Sequence, residues 1–183
     1  MKRINPQIAI AAVVSLLFSM NCLAQQPRFP SHCSRDETVL LSAKMKNIVS
    51  SPQKIIFKDS GKILSLCADV NGSRIYKLTY RFGSIGNVEL EEVATTTRRF
   101  GQFSRQPVRH VGEDIYFFNK GEYTYYILVA SGMGSGISLR AFQGDKQIVD
   151  LFSGNDAEID YHLGRLMSAK PVLVQRTPKH LLD

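Results

Sequence analysis

The amino-acid sequence predicts an all-β, mainly antiparallel domain, and three observations carry that expectation. The dipeptide Asn71-Gly72 stands between the runs "KILSLCA" and "RIYKLTYRF", and Asn-Gly between alternating runs is the strongest short-range hairpin signal because the turn needs positive φ. The second run alternates cleanly, with Tyr76, Leu78, Tyr80 and Phe82 on one face and Lys77, Thr79 and Arg81 on the other, as a half-buried strand requires. Further strand-like runs, separated by glycine-bearing turns, recur through the rest of the chain. The expected architecture is a sandwich or a barrel-like pair of meanders with a short C-terminal helix.

At the N-terminus Lys2 and Arg3 precede an apolar run from Ile8 to Phe18, and a polar stretch then closes on Cys22-Leu23-Ala24. This is the three-part pattern of a secretory signal peptide, residues 1–24 with cleavage after Ala24. It leaves 25–183 as a single β-rich domain of ordinary length. A membrane anchor would need about 20 apolar residues, and lipidation would need Cys22 to open the mature chain, so the expected location is periplasmic or secreted, without a membrane span. Lys2 and Arg3 leave with the leader, so the formal net charge falls from +7 to +5, a modest basic excess that favours acidic surfaces without calling for nucleic acid.

Cys22 also leaves with the leader, and Cys33 and Cys67 remain as an even pair in an oxidising compartment. One disulfide is predicted. A reactive Cys33 beside His32 is the rival, but adjacency in sequence supplies neither a base across space nor a lowered pKa.

Next comes "ETVLLSAKM", a strand or a short helix. Four strands in a row follow: "KIIF" turning through "KDSGK" to "KILSL", then the Asn-Gly hairpin to "RIYKLTYRF", then "GSIGN" leading to "VELEEV". The stretch "TTTRRFGQFSRQPVRHVGED" has no clear periodicity and carries Pro107, so it reads as a connector. Within it Arg98, Arg99, Arg105 and Arg109, with His110 nearby, surround Phe100 and Phe103. Basic residues interleaved with aromatics suit an anionic partner. Outside the cytoplasm that means an acidic protein face, lipid phosphates or cell-wall carboxylates rather than nucleic acid. The bland alternative is a solvated loop whose phenylalanines fold back onto the core.

The second meander runs "DIYFF", "EYTYYILVA", "ISLRAF" and "KQIVDLF". The hairpin "YFFNKGEYTYY" pairs Phe118 with Tyr123 if a two-residue turn falls at Lys120-Gly121, and shifts every pair if three residues ending at Gly121 turn it. One face of it is core; the other either exposes tyrosines for glycan or protein contact or forms stabilising cross-strand pairs. The glycine-rich "SGMGSG" leads into a strand-like run, and no Lys follows it, so it reads as a hairpin loop and not as a phosphate-binding loop. Ser135 lies directly between Gly134 and Gly136, which does not fit a nucleophile elbow.

Toward the C-terminus Glu158, Asp160 and His162 would line up as metal ligands on an extended chain. Asn155 and Asp156 as caps, with Ile159, Leu163 and Leu166 at helical spacing, favour a short amphipathic helix on which those side chains diverge. No metal, cofactor or catalytic residue is therefore assigned.

The runs "ILSLCADV", "YRFGSIGNVELEE" and "DIYFFNKGEYTYY" resemble a loose group of small uncharacterised secreted proteins of Gram-negative bacteria, in which a cysteine after "SL" precedes a "YRFG" strand and an acidic "ELE" stretch. The resemblance implies export and a β-rich fold, with no catalytic residue or ligand attached. These readings converge on an exported non-enzymatic binding protein, specifically an inhibitor or immunity protein against a cell-envelope-acting enzyme or toxin. A cell-wall or glycan-binding module and an envelope hydrolase are the competing classes. The binding residues expected are Arg98, Arg99, Phe100, Phe103, Arg105 and Arg109, facing a protein with an acidic surface.

Overall fold

The computed structural model describes residues 29–108, 111–132, 134–159 and 169–180. The proposed signal peptide, Arg109 with His110, and Asp160 with His162 lie outside the described residues. Among the described residues eleven strands are formed: β1 (Thr38–Ser50), β2 (Ile55–Asn71), β3 (Arg74–Ser84), β4 (Asn87–Ala94), β5 (Phe100–Val108), β6 (Val111–Lys120), β7 (Tyr123–Gly132), β8 (Gly136–Gln143), β9 (Lys146–Phe152), β10 (Ala157–Ile159) and β11 (Leu173–Gln175). They make one sheet in the order β11-β5-β6-β7-β8-β9-β1-β2-β3-β4, with β10 on β1. Every pair is antiparallel except β11 on β5, which is parallel.

The two meanders join where β9 meets β1, at Lys46↔Phe152 and Asn47↔Leu151. The sheet then curls until it nearly closes into a barrel. Its two ends share one core: Tyr80 of β3 and Ala94 of β4 belong to the same buried cluster as Phe100 of β5, Phe118 of β6 and Leu173 of β11. The Tyr80 and Phe118 rings meet at 5.0 Å between centroids, and Phe100 stacks on Phe118 at 4.9 Å. Burial pushes the Tyr80 hydroxyl well above the ordinary tyrosine range.

Several expectations are corrected by this arrangement. Of the two readings of "ETVLLSAKM" the strand is the one formed, as β1 from Thr38 onward. "KIIF" and "KILSL" are one strand, β2, and "KDSGK" is a bulge within it: Met45 pairs with Lys62 and Lys46 with Asp59, leaving Ser60 and Gly61 as the extra residues. Gly61 has φ 67°, the Ser60 hydroxyl donates to the Met45 carbonyl at 2.5 Å, and Asp59 Oδ1 accepts from the Gly61 amide at 2.8 Å. A glycine at positive φ thus marks a bulge here rather than a chain reversal. The reversal falls at residues 51–54 instead.

The Asn-Gly hairpin is present, but Asn71 pairs with Arg74, so its turn is Gly72-Ser73. Pairing also passes from Asp69↔Lys77 to Val70↔Ile75, which leaves Tyr76 as a bulge residue. The parity of β3 therefore flips before Lys77, Ile75 enters the core and Tyr76 stays exposed.

The aromatic hairpin reverses at Gly121-Glu122, pairing Phe118 with Tyr125 and Phe117 with Tyr126, so neither register drawn from sequence is formed: the partner of Phe118 lies two residues beyond the Tyr123 of the two-residue turn at Lys120-Gly121. The segment taken as an unpatterned connector contains strand β5. The start of the expected C-terminal helix is strand β10, paired with β1 from Ala43↔Ala157 to Leu41↔Ile159, and the rest of that segment lies outside the described residues. "SGMGSG" is the loop between β7 and β8, as its glycines suggested.

Two segments lie across the outer face of the sheet. Residues 30–37 cross β1, β2 and β3: Cys33 is bonded to Cys67 with the Cα atoms 5.4 Å apart, the Ser42 hydroxyl donates to the Pro30 carbonyl at 2.8 Å, and Arg81 donates to both carboxylate oxygens of Glu37 at 2.5 and 3.1 Å. The C-terminal segment covers a second cluster built from Ile115, Phe117, Tyr126, Leu128 and Phe142. His180 stacks on Phe142 at 4.6 Å between centroids and its Nδ1 meets the Tyr126 hydroxyl at 2.9 Å, while the Arg176 guanidinium lies 5.5 Å from the Phe117 ring centre.

Glu37 gives the first of these segments a pH dependence. Burial pushes its carboxyl pKa up, but the Arg81 guanidinium and the Ser34 amide outweigh burial and hold it below the ordinary carboxylate value. A carboxyl depressed on folding stabilises the fold above its unfolded pKa, and that contribution fades as pH falls through the lower folded value. Glu37→Gln should therefore destabilise at neutral pH and lose less stability than the parent between about pH 5 and about pH 2. Urea titrations across that range check it. Parallel curves for the two proteins would remove Glu37 from the acid response.

A basic recess at the open edge of the sheet

The site expected from sequence lies around the start of β5. The turn before it is held by Thr95, whose amide donates to the Arg98 carbonyl at 2.9 Å and whose hydroxyl accepts from the Arg98 amide at 3.2 Å. That turn sends successive residues in different directions. Arg98 pairs with Oε1 of Glu92, a carboxylate whose side chain is only 5 % exposed, while the Arg98 side chain is 67 % exposed. Lys120 of β6 approaches the other oxygen of Glu92 at 3.7 Å and donates to the Glu91 carbonyl at 2.6 Å. A buried carboxylate held by two exposed cations leaves positive charge facing outward, since water solvates the cations and not the acid.

Arg99 has different neighbours. Together with Lys170, Gln102, Leu173, Val174 and Gln175 it lines a recess of about 290 Å³. β11 holds one wall of that recess by pairing Leu173 with Phe100 and Gln175 with Gln102, and the Arg176 amide closes the pairing on the Gln102 carbonyl at 3.0 Å. The wall is apolar at Leu173 and Val174 and amide-lined at Gln102 and Gln175, with a cationic residue from each side. Such a recess accepts a carboxylate or another compact anion on a chain with some apolar surface, because Arg and Lys donate only and the amides complete the hydrogen bonding.

The remaining residues expected at the site separate along β5. Phe100 is 2 % exposed and packs in the core, and Phe103 is part-buried against the outer cluster of Ile115, Phe117 and Phe142. Both rings thus contact the domain's own cores, one on each face of the strand, as alternation requires. Gly101 between them lies under Phe117, whose ring atoms come within 2.3 Å of where a Cβ would stand. Arg105 is further along β5, 3.9 Å from Glu113. Sequence reasoning missed Lys170, Lys120 and Gln175. The run "KPVLVQ", with Val172 and Val174 spaced two apart, is the signal that would have identified β11.

Other groupings of polar side chains lie elsewhere on the domain. Ligand atoms of Cys33, Glu37 and Cys67 lie within 4.8 Å of one another, but the two sulfurs are bonded to each other and Glu37 is engaged by Arg81, so the group fastens the N-terminal segment. Asp145, His180 and Tyr126 form a line, with His180 Nε2 3.4 Å from Asp145 and Nδ1 2.9 Å from the tyrosine hydroxyl. Tyr126 is buried there, which closes its hydroxyl to a substrate and makes the line a fastening for the C-terminal segment. Ser135, Gly136, Gly154, Asn155, Ala157 and Ile159 surround a smaller recess of about 170 Å³. The tyrosines offered for glycan stacking are mostly interior: Tyr116 and Tyr126 are buried, and Tyr125 lies half-buried on Phe118 at 5.2 Å between centroids. Comparison with protein-family models, with curated proteins and with solved structures finds no match for this chain.

Proposed function

We propose that the protein is an exported, non-enzymatic binding protein that engages the acidic surface of a protein partner through the recess at the edge of β5 and β11. The observation that carries this reading is the meeting of Arg99 and Lys170 over an apolar and amide-lined recess, beside the outward-facing Arg98 and Lys120. A rigid barrel with a filled interior presents such an edge without reorganising, which lowers the cost of association. That property suits an inhibitor or immunity protein acting on an envelope enzyme or toxin, the partner's carboxylates entering the recess while its rim meets Arg98 and Lys120. The disulfide fits an oxidising, exported setting such as the periplasm.

The test is affinity capture from cell-envelope extract with the mature domain and with an Arg98→Glu, Arg99→Glu, Lys170→Glu variant. The parent should retain one stoichiometric protein at about 50 mM salt and release it as ionic strength rises past about 300 mM, where the Debye length shrinks to a few ångströms. The triple variant should retain none at either salt. Equal capture by both proteins would exclude this edge as the site.

A further inference from the structure

The longest hairpin leaves the sheet. Beyond Asn47 strand β1 has no pairing with β9, and before Lys62 strand β2 has none with β3. Residues 48–61 are therefore a two-stranded ribbon whose outer edges carry unpaired backbone groups. Ile48 pairs with Phe57 and Ser50 with Ile55, which places Ile48, Ile55 and Phe57 on one face; Val49, Ile56 and Lys58 lie on the other. Ile55 is 63 % exposed and Phe57 46 % on the one face, and Val49 is exposed on the other, so both faces of this projecting element carry exposed apolar side chains. Phe57 touches Phe152 of β9 at 5.6 Å between centroids, which steadies the base of the ribbon.

The charges on this hairpin are one-sided. From residue 44 to 62 it carries Lys44, Lys46, Lys54, Lys58 and Lys62 against the single acid Asp59. Lys46 pairs with Asp156 and Lys62 with Glu89, whereas Lys54 and Lys58 form no ion pair among the described residues. The ribbon thus presents three consecutive apolar residues, Ile55-Ile56-Phe57, bracketed by two cations.

We infer that the ribbon Ile48–Gly61 is a docking arm for an anionic lipid surface. Such a surface offers anionic headgroups and an acyl boundary within the span of one short strand, matching a cation–apolar–cation sequence, and lysine stems reach from one layer to the other. Apolar side chains on both faces of a ribbon are covered best by a medium that surrounds it. A second copy of the arm would bring Lys54 and Lys58 against their own equivalents. The unpaired ribbon edges set the depth: backbone groups left without partners in hydrocarbon cost several kcal/mol each, so the arm lies in the interfacial layer and does not span.

Flotation of the mature domain with vesicles tests this, using phosphatidylcholine with about 30 % phosphatidylglycerol and phosphatidylcholine alone. The parent should float with the anionic vesicles and remain largely unbound with the neutral ones. Ile55→Ser, at an exposed position that leaves the Phe57–Phe152 contact in place, should lower anionic-vesicle binding about tenfold. Lys54→Glu with Lys58→Glu should lower it at least as much, with melting temperatures of all variants near the parent's. The inference is overturned if the parent binds neither vesicle, if it binds both alike, or if neither variant changes binding. Loss of a captured protein partner in Ile55→Ser, with vesicle binding intact, would also overturn it by giving the arm to a protein.

Discussion

Phe100→Ala is expected to lower the unfolding free energy by about 3–5 kcal/mol, the range for deleting a buried aromatic ring from a packed core. The ring is stacked on Phe118, which in turn meets Tyr80, so it joins the two ends of the curled sheet. Removing it opens a cavity where neighbouring backbone is fixed by the pairing of Leu173 with Phe100 and cannot collapse. Phe103→Ala, at a part-buried position over the outer cluster, should cost less, about 1–2 kcal/mol. Urea titration measures both. A stable Phe100→Ala protein with weakened partner binding would return this residue to the role of interface anchor.

Cys67→Ser should cost about 3–4 kcal/mol by the chain-entropy argument for a loop whose ends are 34 residues apart. The effect is concentrated on the N-terminal segment, because that bond and the Glu37–Arg81 pair hold residues 30–37 over β1, β2 and β3. Hydrogen exchange should therefore rise first at the outer-face residues Ser42 and Ser65, which that segment covers. Non-reducing peptide mapping of the exported parent should show one linked peptide containing Cys33 and Cys67. Two free thiols, or a Cys67→Ser protein as stable as the parent, would contradict the assignment.

How far the sequence was legible depends on the element. Alternation in β3 from Leu78 to Phe82 and the cysteine pair were readable because each is written locally, in period-two hydrophobicity and in cysteine arithmetic. The bulges were not. "KDSGK" and "NGSR" both carry a glycine at positive φ, and nothing local distinguishes an extra residue in a continuing strand from a reversal; the partner strand β1 decides it by supplying pairs on both sides of Ser60-Gly61. Strand β5 was hidden because its residues face two different apolar clusters, so Phe100 and Phe103 break the expected alternation of apolar and polar. The candidate site was half legible. Arg98 and Arg99 were found by composition, whereas Lys170 comes from a distant segment that only the parallel pairing of β11 with β5 brings alongside.

The most direct test of the proposed binding edge is kinetic, made on the captured partner with variants that neutralise Arg98, Arg99 and Lys170 singly and together. Peripheral charges act chiefly by steering, so the association rate should fall by about tenfold in the triple variant, with a smaller rise in the dissociation rate and a weaker dependence on salt. Association rates and salt dependence equal to the parent's in all variants would contradict the account.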